Sequence, residues 1–216
     1  MRSKVAVLGF LAVVASSGTA FAANLDFASA AFAGAEGQDS FTHTDSDGVQ
    51  LTVTAGPAWL AASITQDADG FGVQTVLPDE TDEIDSLEYL TLSFSQNVNV
   101  SDVFITDLFN EGYLEQGRIS INGGTAQSFS ALASQTPGST NGQLTLDLDT
   151  VVTSLTFSAP ASFIRDHDFA LKGINYTPTR GASQVPELSG NAAPLALMLL
   201  VGFALLIADR RRVGQI

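Results

Sequence analysis

Short runs in which apolar residues alternate with serine or threonine fill the middle of this chain. Tyr89–Ser95 reads YLTLSFS, Arg118–Asn122 reads RISIN and Val152–Ser158 reads VTSLTFS. Alternation at every second residue predicts strands with one face in a core and the other face towards solvent. The hydroxyl side chains are therefore expected on the solvent face, with Leu, Val, Ile and Phe in the core.

The same pattern predicts about nine strands in all, at the spacing typical of all-β domains. The other six are Leu25–Phe32, Ser40–Thr44, Val49–Ala55, Val98–Leu108, Gln143–Leu148 and Phe169–Tyr176. The segments DSDG at 45–48 and DADG at 67–70 are predicted to be turns. We therefore predict an all-β fold for residues 23–177, an antiparallel β-sandwich with a jelly-roll-like arrangement.

Aromatic residues fit this fold as packing elements. The 14 phenylalanines lie mostly at inward positions of the predicted strands, so we interpret them as core. Trp59 is different, because it follows Gly56-Pro57, where a strand is expected to end. A buried core Trp59 is the favoured interpretation, and the alternative is an exposed ring that stacks on a sugar.

The N-terminus has the three parts of a secretory signal peptide. Arg2 and Lys4 precede an apolar stretch at 5–15, and small residues lead to an A-x-A sequence that ends at Ala22. The apolar stretch is too short to span a hydrocarbon core of about 30 Å. We therefore predict that residues 1–22 are removed by cleavage between Ala22 and Ala23, and that the protein is exported.

The C-terminus carries a second apolar segment. Residues 192–208 contain no charged side chain, and a helix of this length would reach about 26 Å, at the short end for spanning a bilayer. Arg210, Arg211 and Arg212 follow at once and are predicted to stop transfer on the cytoplasmic side. We predict a single transmembrane helix at 192–208 and a cytoplasmic basic tail at 209–216. A buried core helix is the alternative.

The charge of the predicted domain limits the classes of molecule that it is expected to bind. The chain has a net charge of −14, and residues 23–187 hold 22 acidic side chains against four basic ones. Such a surface repels phosphate backbones, so we predict no nucleic-acid binding. The chain has no cysteine, so no disulfide stabilises the exported domain.

Val185-Pro186-Glu187, an apolar helix and an arginine cluster follow one another at the C-terminus. This order resembles the PEP-CTERM sorting signal of Gram-negative bacteria that secrete exopolysaccharide, although Leu188 stands where that motif has its second proline. The resemblance implies 178–191 as linker and sorting motif, an exosortase as processing enzyme, and the inner membrane as a partner. It implies a periplasmic domain that later reaches the cell surface or extracellular matrix. An ordinary membrane anchor is the alternative.

The middle of the chain also resembles small sandwich domains of exported bacterial proteins, which are similar in architecture to carbohydrate-binding modules. The resemblance rests on five segments that occur in this order along the chain: DGVQLTVTA, GFGV, DEID, LTLSF and TDLF. It implies a fold more than an activity. Exopolysaccharide is the partner that it suggests.

One acidic segment is a candidate Ca²⁺ site. Asp79, Asp82, Asp85 and Glu88 are the candidate ligands in PDETDEIDSLE, just before a predicted strand. Ca²⁺ accepts six to eight oxygen ligands in irregular geometry, so it could offset this density of carboxylates. The spacing is not that of an EF-hand. A solvated acidic loop without metal is the alternative.

The sequence contains few candidate catalytic residues. His43 lies in an alternating strand and is expected to face solvent, while His167 lies between Asp166 and Asp168 and could act as a base. We assign no catalytic residue, since no nucleophile elbow, zinc motif or phosphate loop occurs. The sequence predicts a non-catalytic surface or matrix protein that contacts exopolysaccharide. The alternative is a small secreted glycosidase-like hydrolase that uses acids or His167.

We expect the exported protein to begin at Ala23, because the A-x-A sequence ends at Ala22. N-terminal sequencing of the protein from fractionated cells checks this, and a mature chain that still starts with Met1 would contradict it. In a host with an exosortase, deletion of that enzyme should leave the tail attached.

Overall fold

The computed structural model describes residues 22–76, 82–138, 140–162 and 167–179. Within these ranges ten strands and two short 3₁₀ helices occur. The strands are β1 Ala23–Asp26, β2 Ser40–Thr44, β3 Gln50–Gly56, β4 Ser63–Gln66, β5 Phe71–Gln74, β6 Tyr89–Thr106, β7 Gln116–Ile121, β8 Gln127–Ser130, β9 Leu144–Ser158 and β10 Ala170–Pro178. The 3₁₀ helices are Ala30–Ala35 and Ala58–Leu60. The predicted all-β class is confirmed.

All strand pairings are antiparallel, and two long strands organise them. β6 and β9 pair along almost their whole length, with register shifts between Ser93 and Val98 and between Val100 and Asp102. The first part of β6 also pairs with β3, and its second part pairs with β10. The sheet therefore has two halves that share β6 and β9.

The first half-sheet runs in the order β2-β3-β6-β9-β7-β8. The second half-sheet runs β4-β5-β10-β6-β9, and β1 pairs with residues 173–176 of β10. Inward side chains of both halves meet in a single hydrophobic cluster. Phe94 of β6 packs edge-on against Tyr176 of β10, and Phe129 of β8 packs against Phe169, with ring centroids 5.4 and 5.2 Å apart. The arrangement is sandwich-like.

The predicted strands differ from the observed ones in three ways. The runs 89–95 and 98–108 form one strand, β6, and the runs 143–148 and 152–158 form β9, because each pair continues across a bulge. The predicted strand 25–32 ends at Asp26 and is followed by a 3₁₀ helix. β4, β5 and β8 were not predicted, since each has four residues, too few to show a period.

The interpretation of the phenylalanines as mostly core is confirmed in the described part of the chain, where Phe104 and Phe109 are the half-buried exceptions outside the hydrophobic cluster. Phe27, Phe32, Phe71, Phe157 and Phe169 are each at most 1% exposed. Phe27 stacks on Phe71 with centroids 4.7 Å apart, and Phe32 meets both rings edge-on. These rings hold the 3₁₀ segment and the β4–β5 hairpin against the rest of the core.

The turn at residues 45–48 joins β2 and β3, as predicted. The Asp45 carboxylate oxygen Oδ1 accepts the backbone N–H groups of Asp47 and Val49, each at 2.9 Å. Oδ2 of the same carboxylate accepts the hydroxyl of Tyr176 from β10. Burial and this bond raise the pKa of Tyr176 well above its usual range. Asp45 therefore ties the hairpin of the first half-sheet to the second half-sheet.

The membrane and signal predictions fall outside the part of the chain that is described. Residues 1–21 and 180–216, which include the sorting motif, the segment 192–208 and the terminal arginines, lie beyond the described ranges. Ala22 and Ala23 are described, and Ala23 begins β1. Among the described residues no helix has the length and apolarity needed to cross a membrane.

Replacing Tyr176 by Phe should destabilise the fold by about 1.5–3 kcal/mol, because the hydroxyl donates to a carboxylate in a largely buried place. Urea unfolding of the full chain measures this. Tyr89→Phe is the matched control, since its hydroxyl lies on a partly exposed ring, and a change within about 0.5 kcal/mol is expected there. Equal losses for the two variants would contradict the role given to the Asp45–Tyr176 bond.

Candidate functional site

Trp59 is exposed, so the favoured interpretation of a buried core residue is wrong. Its side chain is 75% exposed, the highest fraction among the large apolar residues described. The reason is local: β3 ends at Gly56, and the 3₁₀ helix Ala58–Leu60 follows Pro57. Leu60, 6% exposed, anchors that helix in the core, and its carbonyl accepts the Val76 N–H at 3.2 Å. The anchor holds the helix so that Trp59 faces solvent.

A cleft of about 450 Å³ lies beside this helix. Its lining is formed by Gly37, Gln38, Asp39, Ser40, Thr54, Ala55, Ala58, Ala61, Ala62 and Ser63. Ala58 and Ala61 lie one residue before and two residues after Trp59, so the turn that carries the exposed indole contributes to the wall of the cleft. Its walls carry one side-chain amide, three hydroxyls and one carboxylate together with four alanine methyl groups. Such a lining offers hydrogen bonds and apolar contact together.

Backbone hydrogen bonds fix the walls of the cleft. The segment 37–39 bridges two strands: the Ala55 N–H donates to the Asp39 carbonyl at 3.0 Å, and the Ile64 N–H donates to the Gln38 carbonyl at 2.7 Å. The Gly37 N–H in turn donates to the Ile64 carbonyl at 2.9 Å. The cleft is therefore framed by β3 on one side and β4 on the other, and its shape is set by the sheet.

Tyr89 is a second aromatic side chain at this end, and sequence reasoning missed it. Tyr89 opens β6, pairs with Gly56 of β3 and is 37% exposed. A Cβ atom on Gly56 would lie 2.1 Å from the Tyr89 ring, so the ring occupies the space that a side chain at 56 would need. The sequence pattern could have identified Tyr89 as a surface residue, because Tyr89 alternates in register with Thr91 and Ser93.

Hydroxyl side chains cover the outward positions next to Tyr89. They form two rows across neighbouring strands, and we call these nine residues the hydroxyl face. Its members are Ser40, Thr54, Thr91, Thr156 and Ser120 in the first row and Thr42, Thr52, Ser93 and Ser154 in the second. Each is exposed or half-buried. Ser40 and Thr54 also line the cleft, so the two surfaces are continuous.

Three of the four candidate Ca²⁺ ligands lie in the described part of the chain, and they differ in exposure. Asp79 lies outside the described residues and Asp82 is exposed, whereas Asp85 and Glu88 are 1% and 2% exposed. The carboxylates of Asp85 and Glu88 serve a local turn: Glu88 Oε2 accepts the Asp85 N–H at 3.1 Å, and Asp85 Oδ1 accepts the Ser86 N–H. In the described ranges no three acidic or histidine side chains gather as metal ligands. Ca²⁺ binding by this segment stays a prediction.

Neither histidine lies on an open surface. His167 is 5% exposed, and its ring meets the Tyr113 ring edge-on at 5.7 Å. The expectation that His43 faces solvent is wrong, since its ring lies 4.7 Å from the Phe32 ring. His43 shares the register of Phe41 in β2, which turns towards the core.

A carboxylate with a shifted pKa lies in another part of the sandwich. Burial, and the nearby charges of Asp69 and Asp67, raise the pKa of the half-buried Asp107 carboxyl to about 6. Asp67 closes the β4–β5 turn, where its Oδ1 accepts the Asp69 and Gly70 N–H groups at 2.8 and 3.2 Å. The backbone of that turn is held to Thr106 of β6, whose hydroxyl donates to the Asp69 carbonyl at 2.7 Å.

Comparison with known proteins adds little to this geometry. No protein-family model and no curated protein sequence matches the chain. A crystal structure of an exo-β-1,3-galactanase from Phanerochaete chrysosporium with galactose is similar, with 14% identity and a TM-score of 0.36. The match covers 59% of this chain and 32% of that chain, so it spans about a third of that protein. At this TM-score the likeness carries no argument about activity.

Asp107→Asn should stabilise the protein at pH 7.5 and have less effect near pH 4. Because the folded-state pKa is raised, the folded protein holds more protons than the unfolded chain between about pH 4 and 6, so this group's contribution to stability falls as the pH rises through that window. Allowing for solvent screening of a half-exposed group, we expect about 1 kcal/mol, or about 2–4 °C in Tm.

Thermal melting of both chains across this pH range measures the effect. Asp147→Asn, at an exposed position of β9, is the control for the loss of one negative charge. A Tm difference for Asp107→Asn that is the same at both pH values would contradict the prediction.

Proposed function

We propose that this chain is an exported, non-catalytic surface or extracellular matrix protein that contacts exopolysaccharide through the Trp59 end of a jelly-roll-like sandwich. The observation that carries the proposal is Trp59, 75% exposed in a turn whose Ala58 and Ala61 line a cleft of about 450 Å³. An exposed indole beside a polar cleft presents an apolar face that a ligand can cover.

The chemistry of this end suits a sugar. A pyranose ring has an apolar face that an aromatic ring can cover and an edge of hydroxyls that needs hydrogen-bonding partners. Trp59 and Tyr89 supply aromatic surface, and Gln38, Ser40 and Ser63 supply polar groups. A shallow, preformed site of this kind favours binding to a polymer over enclosing a small substrate.

The two ends of the sequence support the location. Three features support a location outside the cytoplasm: the predicted signal peptide at 1–22, the predicted transmembrane helix at 192–208 and the resemblance to the PEP-CTERM signal. An exosortase is the proposed processing enzyme, and the inner membrane is the proposed first attachment. Ca²⁺ at the segment 79–88 remains part of the proposal.

A second candidate is a glycosidase-like hydrolase on the same fold, and Asp107 is the observation that favours it. A general acid of this class needs a carboxyl with a raised pKa and a second carboxylate nearby. Asp107 has a pKa of about 6 and is influenced by Asp69. Release of sugar product by the full chain, abolished by Asp107→Asn, would replace the binding proposal with this one.

Trp59→Ala should weaken retention on the producer's exopolysaccharide by about tenfold or more, as expected for an aromatic anchor. Pull-down of the full chain in mild detergent measures this, while the polymer length is followed to detect cleavage. Trp59→Phe should retain part of the binding. Val151→Ala is the matched control, because Val151 is 49% exposed on β9 far from Ser158 at the Trp59 end. Equal retention of all variants, or no retention at all, would contradict the proposal.

A further inference from the structure

We infer, building on the proposed function, that the polysaccharide is uncharged and extended, and that it lies across the strands along the hydroxyl face. The first row of that face begins at Ser40 and Thr54 in the wall of the cleft and ends at Ser120. A chain that enters at Trp59 can therefore continue over the sheet. The hydroxyl face extends the site from one aromatic contact to a track.

The register makes the first row continuous. Ser40 pairs with Thr54, Thr54 with Thr91, Thr91 with Thr156, and Thr156 with Ser120, so every one of five neighbouring strands places a hydroxyl in line. With strands about 4.8 Å apart, the row is about 19 Å long. That length accommodates several sugar units.

Neighbouring hydroxyls are close enough to bond one another. The Oγ and Oγ1 atoms of Ser40 and Thr54 lie 3.2 Å apart, and the Oγ1 atoms of Thr91 and Thr156 also lie 3.2 Å apart. In the second row the Oγ1 atoms of Thr42 and Thr52 are 3.0 Å apart. A hydroxyl donates once and accepts twice, so each pair keeps capacity for a ligand hydroxyl above it.

The charge distribution of the domain favours an uncharged polymer on the hydroxyl face. The described segments of β2, β3, β6, β7 and β9 that form the hydroxyl face carry no carboxylate at their outward positions, and Arg118 is the charged side chain there; Asp39 lies before β2, in the wall of the cleft. In contrast, the second half-sheet carries Asp102, Asp147 and Asp149 on its outward side. A neutral face suits an uncharged polymer, while the net charge of −14 repels a polymer that bears carboxylates.

Tyr89 connects the track to the aromatic end. It lies two residues before Thr91 on the same side of β6, next to Ser158 of β9. A sugar on the first row can therefore contact the Tyr89 ring at its side, and the Trp59 loop continues from the Gly56 that Tyr89 covers. Aromatic contact and hydroxyl pairing are adjacent along one surface.

Affinity electrophoresis of the full chain in mild detergent tests the inference, with a soluble neutral β-glucan and alginate, a polyuronate, as probes. The double variant Thr91→Val with Thr156→Val removes two hydroxyls and keeps shape and strand preference. We expect it to weaken binding to the neutral glucan about tenfold without lowering Tm. Thr145→Val, at an exposed position of β9 in the second half-sheet, should bind like the unsubstituted chain.

A second pair, Ser40→Ala with Thr54→Val, repeats the test at the cleft end should the first pair alter the fold. Affinity for the neutral probe should change little with salt, since no ion pairs are involved. Preference for alginate, or a steep loss of affinity with salt, would overturn the inference. So would variants of the hydroxyl face that change self-association of the chain instead of binding to the polymer.

The outcomes separate this inference from the proposed function. If Trp59→Ala abolishes binding while both hydroxyl pairs behave like the unsubstituted chain, the proposed function stands and the hydroxyl track is wrong. If neither probe nor the producer's polymer is retained, the proposed function fails as well.

Discussion

The pairing of β6 with β9 is the constraint on which the rest of the fold depends. The first part of β6 pairs with β3 and its second part pairs with β10, so β6 belongs to both halves of the sheet. The register shifts at Ser93–Val98 and Val100–Asp102 let the pair bend, because a bulge increases local twist. The same strand therefore carries Thr91 and Ser93 on one surface and Asp102 on another.

Strand alternation was a good guide where the alternation was unbroken, and a poor one where it was interrupted. Ser40–Thr44 was predicted with its observed bounds, while β6 was divided at Ser95–Asn97, where polar residues at the bulge interrupt the period. Trp59 could not be placed from sequence, because its exposure depends on Leu60 anchoring the adjacent turn. Tyr89 could have been found, since its outward register follows from Thr91 and Ser93.

Acidic side chains occupy turns and one side of the sheet, and this distribution limits electrostatic strain. Asp45 and Asp67 each accept two backbone N–H groups, and Asp102 accepts from Asn175 and Ser101, which lowers the pKa of the Asp102 carboxyl. Carboxylates with such donors are stabilised in their charged form. Asp107 is the exception, because burial and neighbouring carboxylates act against its charge. The hydroxyl face is left neutral within an acidic molecule.

Rigidity is what makes a flat hydroxyl surface useful for binding. A loop that orders on contact loses conformational entropy, whereas hydroxyls on paired strands are already in place and lose only rotation about one bond. A single sugar above such a surface exchanges water for protein hydrogen bonds at little net gain, so affinity must come from repetition along the polymer and from aromatic contact. The row of hydroxyls, about 19 Å long, provides the repetition, and Tyr89 beside its middle strand and Trp59 in the turn after β3 provide the aromatic contact. The site is therefore built for a chain of sugars and gives weak affinity for one.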